Sequence, residues 1–158
     1  MKKQDKTNVM RLLDAAKIDY HAHYYKADPT MTGEEIAAIL GENPDQVFKT
    51  LVTRGKTGAY YVFVIPVAAE LHLKKAAKAA GEKSVSMIKQ KELLPLTGYV
   101  HGGCSPIGMK KAFPTWIHET ARGQRVFVSA GRVGAQIDFE YDDLVRIAGC
   151  QPADLVTE

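Results

Sequence analysis

The residues best equipped for chemistry fall in one loop. Gly102-Gly103-Cys104-Ser105-Pro106-Ile107-Gly108-Met109-Lys110-Lys111 places two adjacent glycines beside a thiol and a hydroxyl. Adjacent glycines let backbone amides approach a ligand closely and converge on one oxygen, as a carbonyl or oxyanion site requires. Gly103 and Gly108 have the spacing of a phosphate-binding P-loop, but Met109 stands where that loop carries its lysine, and no Ser or Thr follows. That departure argues against a nucleotide triphosphatase. A plain glycine turn between two strands stays open as the alternative.

Lys49 lies inside the apolar run Val47 to Val52, where strand alternation puts it on one face with Val47 and Leu51 and puts Phe48, Thr50 and Val52 on the other. An unpaired ammonium is costly to bury, so a lysine on a central strand needs a partner or a cleft. On an edge strand it would instead block aggregation. Cys104 invites a cysteine-hydrolase reading, with His101 or His118 as base and the Gly-Gly amides as oxyanion hole, yet no Cys-His family signature surrounds it. His21 and His23 share one strand face without a third metal ligand at a recognisable spacing. Ser129-Ala130-Gly131 puts a hydroxyl and a permissive backbone at a strand end. Among the aromatics that could stack on a nucleobase, Trp116, Tyr20, Tyr24, Tyr60 and Tyr61 read as core or cross-strand residues, which leaves Tyr25, at the end of its strand, as the binding candidate.

The elements that must position these groups follow from periodicity. Thr7 to Lys17 has helical spacing, and Asp19 to Tyr25 alternates as a strand. Thr32-Gly33-Glu34-Glu35 is a capping box opening a helix that Gly41 stops. Val47 to Thr53 and Ala59 to Ile65 form an antiparallel hairpin across a turn at Gly55 to Gly58. Leu73 to Ala80 is a helix, and Ile88 to Leu94 a second, short one ending before Pro95. Strands are expected at Tyr99 to Val100, Thr115 to His118, Arg125 to Ser129 and Gln136 to Ile137, with a final helix from Asp142 to Ala148. The order mixes helices and hairpins without a regular strand-helix repeat. It predicts an α/β fold with one mixed, curled, barrel-like sheet and peripheral helices, in a single domain over residues 1–158.

Composition agrees with a compact domain, since 46% of the 158 residues are hydrophobic. No apolar run reaches the roughly 20 residues that cross a bilayer, and the polar start Met1-Lys2-Lys3-Gln4-Asp5-Lys6 lacks the apolar centre of a signal peptide. A soluble, cytoplasmic protein is expected. Cys104 and Cys150 are too few for a disulfide framework and wrongly spaced for a thiolate metal site. The net charge of +3 excludes a strong field for non-specific nucleic-acid binding. Lys74, Lys75, Lys78, Lys83, Lys89 and Lys91, with Lys110 and Lys111, form either a local basic rim or a solvated helical face.

Taken together, these segments resemble the YbaK family of aminoacyl-tRNA editing proteins, relatives of the editing domain inserted in bacterial prolyl-tRNA synthetases. The resemblance spans nearly the whole chain. It rests on Lys17-Ile18 through Tyr25 to Asp28-Pro29, on Asn43-Pro44-Asp45-Gln46-Val47-Phe48-Lys49-Thr50-Leu51, and on Pro66-Val67-Ala68 with Leu71-His72-Leu73-Lys74-Lys75. It continues through Thr97-Gly98-Tyr99-Val100-His101-Gly102-Gly103-Cys104-Ser105-Pro106 to Lys111 and through Val128-Ser129-Ala130-Gly131. The resemblance implies release of cysteine from Cys-tRNA(Pro), with Cys-tRNA(Cys) as a further substrate. No metal or cofactor is expected, and the partners implied are mischarged tRNA and prolyl-tRNA synthetase. It also implies attack by the substrate's own thiol on its ester carbonyl, the protein acting by orientation.

Carried over by position, Lys49 and Gly102 are the catalytic pair, Lys49 at the tRNA end and Gly102 with its amide toward the aminoacyl carbonyl. Tyr25, Thr50, Gly103, Ser105, Ser129 and Gln136 make up the substrate-binding set. Gln136 stands where the best-known relative has an Asp, which removes a carboxylate from the site. The segment Pro29 to Glu34 is shorter than in that relative and lacks its pocket-edge phenylalanine, so the preference among Cys, Ala and other small amino acids stays open. A non-catalytic aminoacyl-tRNA or nucleotide-binding module on the same fold, and a hydrolase using Cys104, are the competing readings.

Overall fold

A computed structural model describes residues 6–28 and 30–157. Pro29, which belongs to both the motif Asp28-Pro29 and the shortened segment, lies outside the described residues. The chain runs α1 (Asn8–Ala15), β1 (His21–Tyr24), α2 (Gly33–Leu40), a 3-10 turn (Pro44–Gln46), β2 (Phe48–Gly55), β3 (Tyr60–Pro66) and α3 (Leu73–Ala80). It continues with β4 (Val85–Met87), α4 (Gln90–Thr97), β5 (Thr115–His118), a second 3-10 turn (Glu119–Ala121), β6 (Arg125–Arg132), β7 (Ala135–Glu140), α5 (Tyr141–Ala148) and β8 (Gln151–Ala153).

The mixed α/β character is as expected, but the single curled sheet is not what the strands form. They divide into a five-stranded sheet ordered β4-β2-β3-β5-β8 and a three-stranded sheet ordered β1-β7-β6. Among the described residues the sheets meet through one isolated bridge, between Val47 and Phe127. The division has a local cause. On the edge of β2 away from β3, β4 pairs only with Thr53, Arg54 and Gly55. The half of β2 that carries Lys49 therefore has β3 on one side and an open seam toward β6 on the other. Apolar residues of both sheets and of α1, α5 and the loop before β5 fill the main core, where Phe48, Val62, Val64, Ile117, Ile137 and Phe139 are at most 3% exposed.

Several local readings hold to the residue. Thr32 Oγ1 accepts from Glu35 N while Glu35 accepts from Thr32 N, closing the capping box, an arrangement worth about 1 kcal/mol. Leu73–Ala80 has the expected ends, and the β2–β3 hairpin is antiparallel. Other readings are corrected. The expected strand at Tyr99 and Val100 is irregular; Tyr99 sends its hydroxyl to the Ile107 carbonyl and braces the glycine loop. The short helix does not stop before Pro95 but runs through it to Thr97. Proline costs that helix one amide donor, while buried Leu93 and Thr97 anchor the last turn and the Thr97 hydroxyl donates to the Leu93 carbonyl at 2.8 Å. β4 and β8, three residues each, are too short for a period to register.

Candidate functional site

The seam between the sheets opens into a cavity of about 400 Å3. β2 supplies Phe48, Lys49, Thr50 and Leu51; β6 and β7 supply Val128, Ser129, Ala135 and Gln136. Thr30 to Glu34 and Ile36 form the wall at the start of α2, Tyr25 stands at the end of β1, and His101, Gly102 and Cys104 close the remaining side. Lys49 and Thr50 alternate in direction along the strand, and both line the cavity because it lies at the strand's open edge.

Six of the expected site residues, Lys49, Gly102, Tyr25, Thr50, Ser129 and Gln136, thus share one cavity. Lys49 is half-buried and donates from Nζ to the Val67 carbonyl at 3.3 Å, and among the described residues no carboxylate pairs with it. Gly102 is the third residue of a turn closed by Gly103 N to the Val100 carbonyl at 2.9 Å, and its φ of 87° is the left-handed value that such a turn assigns to glycine. Its own amide makes no protein hydrogen bond among the described residues.

Gly103 and Ser105 do not line the cavity. A Cβ on Gly103 would lie 2.9 Å from the backbone of Arg132 and Val133, so this glycine lets the loop pack on the end of β6. Ser105 is fully buried and accepts from Ile107 N at 3.3 Å. Both residues shape the loop from behind.

The polar groups at the cavity and behind it fall into two sets. Thr50 Oγ1 and Gln136 Oε1 are buried without hydrogen-bond partners, as are both carboxylate oxygens of Glu42 beside Gln136. Burial pushes the Glu42 carboxyl above its ordinary value, and Gln136 and His23 offset part of that rise. Two residues along β7 the picture reverses. Asp138 meets His23 Nε2 at 2.5 Å, Arg125 Nε at 2.5 Å and His21 Nδ1 at 3.2 Å. Burial alone would push its carboxyl up, but hydrogen bonds from His23, Arg125 and His21, with the guanidinium charge, hold it below the usual carboxylate value. His21 and His23 therefore belong to a hydrogen-bonded cluster around one aspartate, and among the described residues no group of His, Cys, Asp and Glu is poised to hold a metal.

Cys104 faces the cavity, but burial pushes its thiol up to about 12, leaving almost no thiolate at neutral pH. His118, one of its suggested bases, lies elsewhere, accepting from Leu155 N at 3.2 Å in the packing of β8. Trp116 stacks on Phe63 at 5.6 Å in a second core cluster, away from the cavity. Of the lysine group, Lys75 is tied to Asp154 at 2.9 Å and to the Val156 carbonyl.

Residues 27–147 match the family model for the aminoacyl-tRNA editing domain. The chain belongs to that family. The editing domain is 42% identical to an Enterococcus faecalis protein named "Putative Cys-tRNA(Pro)/Cys-tRNA(Cys) deacylase EbsC", over 99% of this chain and 97% of that one. It is also 24% identical to the proline–tRNA ligase of Fervidobacterium nodosum, over 78% of this chain and 22% of the ligase. A crystal structure described as "a putative trans-editing enzyme for prolyl tRNA synthetase" superposes with a TM-score of 0.80 at 25% identity, over 98% of this chain and all of the other. The family match includes the start of α2, β2, the glycine loop and the β6–β7 corner, which build most of the cavity, while Tyr25 lies just before the matched residues.

Sequence reasoning placed the segment up to Glu34 at the pocket edge but missed Ile36 and the apolar wall residues Leu93 and Val67, as well as Glu42 behind Gln136. One signal for Glu42 was available. It directly follows the helix-stopping Gly41, where an apolar residue usually folds back on the helix.

Proposed function

We propose that the protein is a trans-editing aminoacyl-tRNA deacylase, acting over residues 1–158 as one editing domain, that releases cysteine from Cys-tRNA(Pro) and accepts Cys-tRNA(Cys). The observation that carries this reading is a cavity holding, among the described residues, a lysine without a carboxylate partner and an unused backbone amide but no activated nucleophile. In such a site the substrate supplies the reacting group and the protein supplies orientation.

The aminoacyl ester enters with its carbonyl toward the Gly102 amide and the terminal ribose and phosphate toward Lys49. The substrate thiol, losing its proton to solvent, attacks the ester carbonyl carbon. The bond to the ribose oxygen breaks, that oxygen takes up a proton, and the four-membered thiolactone formed is opened by water to free cysteine. Lys49 and the Gly102 amide hold negative charge as it develops on oxygen, a function worth most where water is excluded. Tyr25, Thr50, Ser129 and Gln136 orient the aminoacyl-adenosine end, while Gly103 and Ser105 support the loop that presents Gly102. The site would work in the cytoplasm beside prolyl-tRNA synthetase, because the small net charge gives modest affinity for tRNA alone.

The test is release of labelled cysteine from Cys-tRNA(Pro), compared with Ala-tRNA(Pro) and Cys-tRNA(Cys). Cysteine release well above the buffer rate supports the reading, and faster release of alanine would move the specificity. Tight binding with no release would make the protein a binding module.

A further inference from the structure

The strongest unexplained feature beside the site is a group of buried oxygens without partners in hydrogen-bonding geometry. Glu42 follows α2 in a fixed position: Gly41 takes the left-handed conformation at φ 69°, Gly41 N donates to Ala38 O at 3.2 Å, and Glu42 N donates to Ala37 O at 2.9 Å. This paired arrangement ordinarily folds an apolar side chain back against the helix. Here it buries a carboxylate, and neither oxygen of that carboxylate has a hydrogen-bond partner. The adjacent Gln136 is 4% exposed, lines the cavity, and has its Oε1 buried and unpartnered.

We propose that Glu42 is a positioning residue of the site, its carboxyl deciding which end of the Gln136 amide faces the cavity. The inference rests on the deacylase reading for its consequence, though not for its geometry. The Gln136 side chain lies near enough to Glu42 to lower its pKa, yet none of these three oxygens has a partner in hydrogen-bonding geometry, and the pair can be reconciled in two ways. A protonated Glu42 donates to Gln136 Oε1, which leaves the Gln136 amide hydrogens facing the cavity. An ionised Glu42 accepts from the Gln136 amide, which turns Oε1 toward the cavity. The first state offers a donor for the ester carbonyl or a ribose oxygen. The second offers an acceptor for the substrate's ammonium or thiol.

The surroundings make the choice sensitive to protonation. His23 from β1 favours the ionised form and Asp138 from β7 disfavours it, and Asp138 is itself held by Arg125 and His21. Glu34 and Glu35 on α2 and Asp45 on the following 3-10 turn are exposed, and the residues packed against α2 are the apolar Val47, Val67 and Phe127. Burial is the largest influence on Glu42 and raises its pKa, so the neutral form persists to higher pH than for a glutamate in water.

The experiment compares wild type, Glu42→Gln and Glu42→Leu for cysteine release from Cys-tRNA(Pro), from about pH 5 to about pH 8, spanning the range reached by raised carboxyls. Glu42→Leu is expected to lower kcat about tenfold with little change in KM, since a misoriented amide affects the reacting geometry before it affects binding. Glu42→Gln, whose amide also donates to Oε1, should restore most of that loss at the acid end. The ratio of wild-type to Glu42→Gln rates should then change as pH rises through the Glu42 titration, since groups uncoupled from Glu42 titrate alike in both proteins. In parallel, the Gln136 side-chain amide resonances, assigned by their loss in Gln136→Leu, should shift across this range in wild type and less in Glu42→Gln. A pH-independent ratio with matching Gln136 resonances in both proteins overturns the proposal, even if Glu42→Leu fails to fold. If wild type releases no cysteine but its Gln136 resonances respond through Glu42, the coupling stands and the deacylase reading falls.

Discussion

Gln136 and Asp138 sit two residues apart on one face of β7, and they meet opposite circumstances. Both are nearly fully buried. Asp138 is surrounded by donors from β1 and β6, and its charge is spent on holding the three-stranded sheet together. Gln136, with Glu42 behind it and Thr50 across the seam, has acceptors left over. A buried polar group without a partner costs on the order of 1–3 kcal/mol, so the two that line this cavity, on Thr50 and Gln136, are the expected contacts for whatever binds there. Saturated polar clusters build the scaffold, and unsaturated ones mark the site. In this domain the boundary between them is a single step of strand alternation.

That contrast can be broken by mutation, because site groups should cost rate and scaffold groups stability. The largest effect is expected from Lys49→Ala, which should lower the rate of cysteine release about a hundredfold, the scale of losing one group that stabilises developing charge. Its denaturation midpoint should move little, since among the described residues its ammonium hydrogen-bonds to the Val67 carbonyl alone. An unchanged rate would remove Lys49 from the machinery. Asp138→Asn should behave the other way, losing about 2 kcal/mol in urea denaturation at neutral pH while retaining activity below its melting range. The loss stays short of a fully enclosed ion pair because Arg125 and His21 keep contact with water. The sign with pH follows from a folded-state pKa below the unfolded one. The stabilisation is present above the ordinary aspartate value and disappears as pH falls through the folded value, so wild type should lose its advantage over Asp138→Asn in acid.

Thr50→Val sharpens the contrast at a single atom. The hydroxyl is buried and unpartnered, so its replacement by a methyl should leave stability unchanged or slightly higher. If the hydroxyl meets the substrate, the same change should slow cysteine release about tenfold, the worth of one hydrogen bond. Loss of stability with full activity would make Thr50 part of the scaffold.

How much of this was legible in the sequence depended on whether the signal was local. The capping box at Thr32, the hairpin through Gly55 to Gly58 and the stop at Gly81 are fixed by neighbours in the chain, and they were readable. Lys49 was readable as a charge misplaced in a buried strand. The seam was not, because it depends on β4 covering only the far end of β2, and a strand of three residues leaves no periodic trace. The differing fates of Gly102 and Gly103 needed the Arg132 backbone to be in place. Asp138 and its histidines are separated by more than a hundred residues, so the histidines read only as two residues on one strand face without a third metal ligand, and their aspartate partner left no local trace.

The smallest expected effect carries the mechanism. Cys104 faces the same cavity as Lys49, so position alone does not distinguish a protein nucleophile from a wall residue. Its protonation does: a thiol pushed up to about 12 by burial, with no base in hydrogen-bonding contact among the described residues, holds its proton at neutral pH. A Cys104→Ser exchange changes one atom of a half-buried residue and should leave the rate within about twofold, as for a side chain that touches the substrate without reacting. The same sulfur-to-oxygen exchange made in the substrate, Ser-tRNA(Pro) in place of Cys-tRNA(Pro), removes the attacking group and should lower the rate strongly. If the two exchanges fall in the reverse order, the nucleophile belongs to the protein, and the cavity must rearrange to ionise Cys104 before it can act.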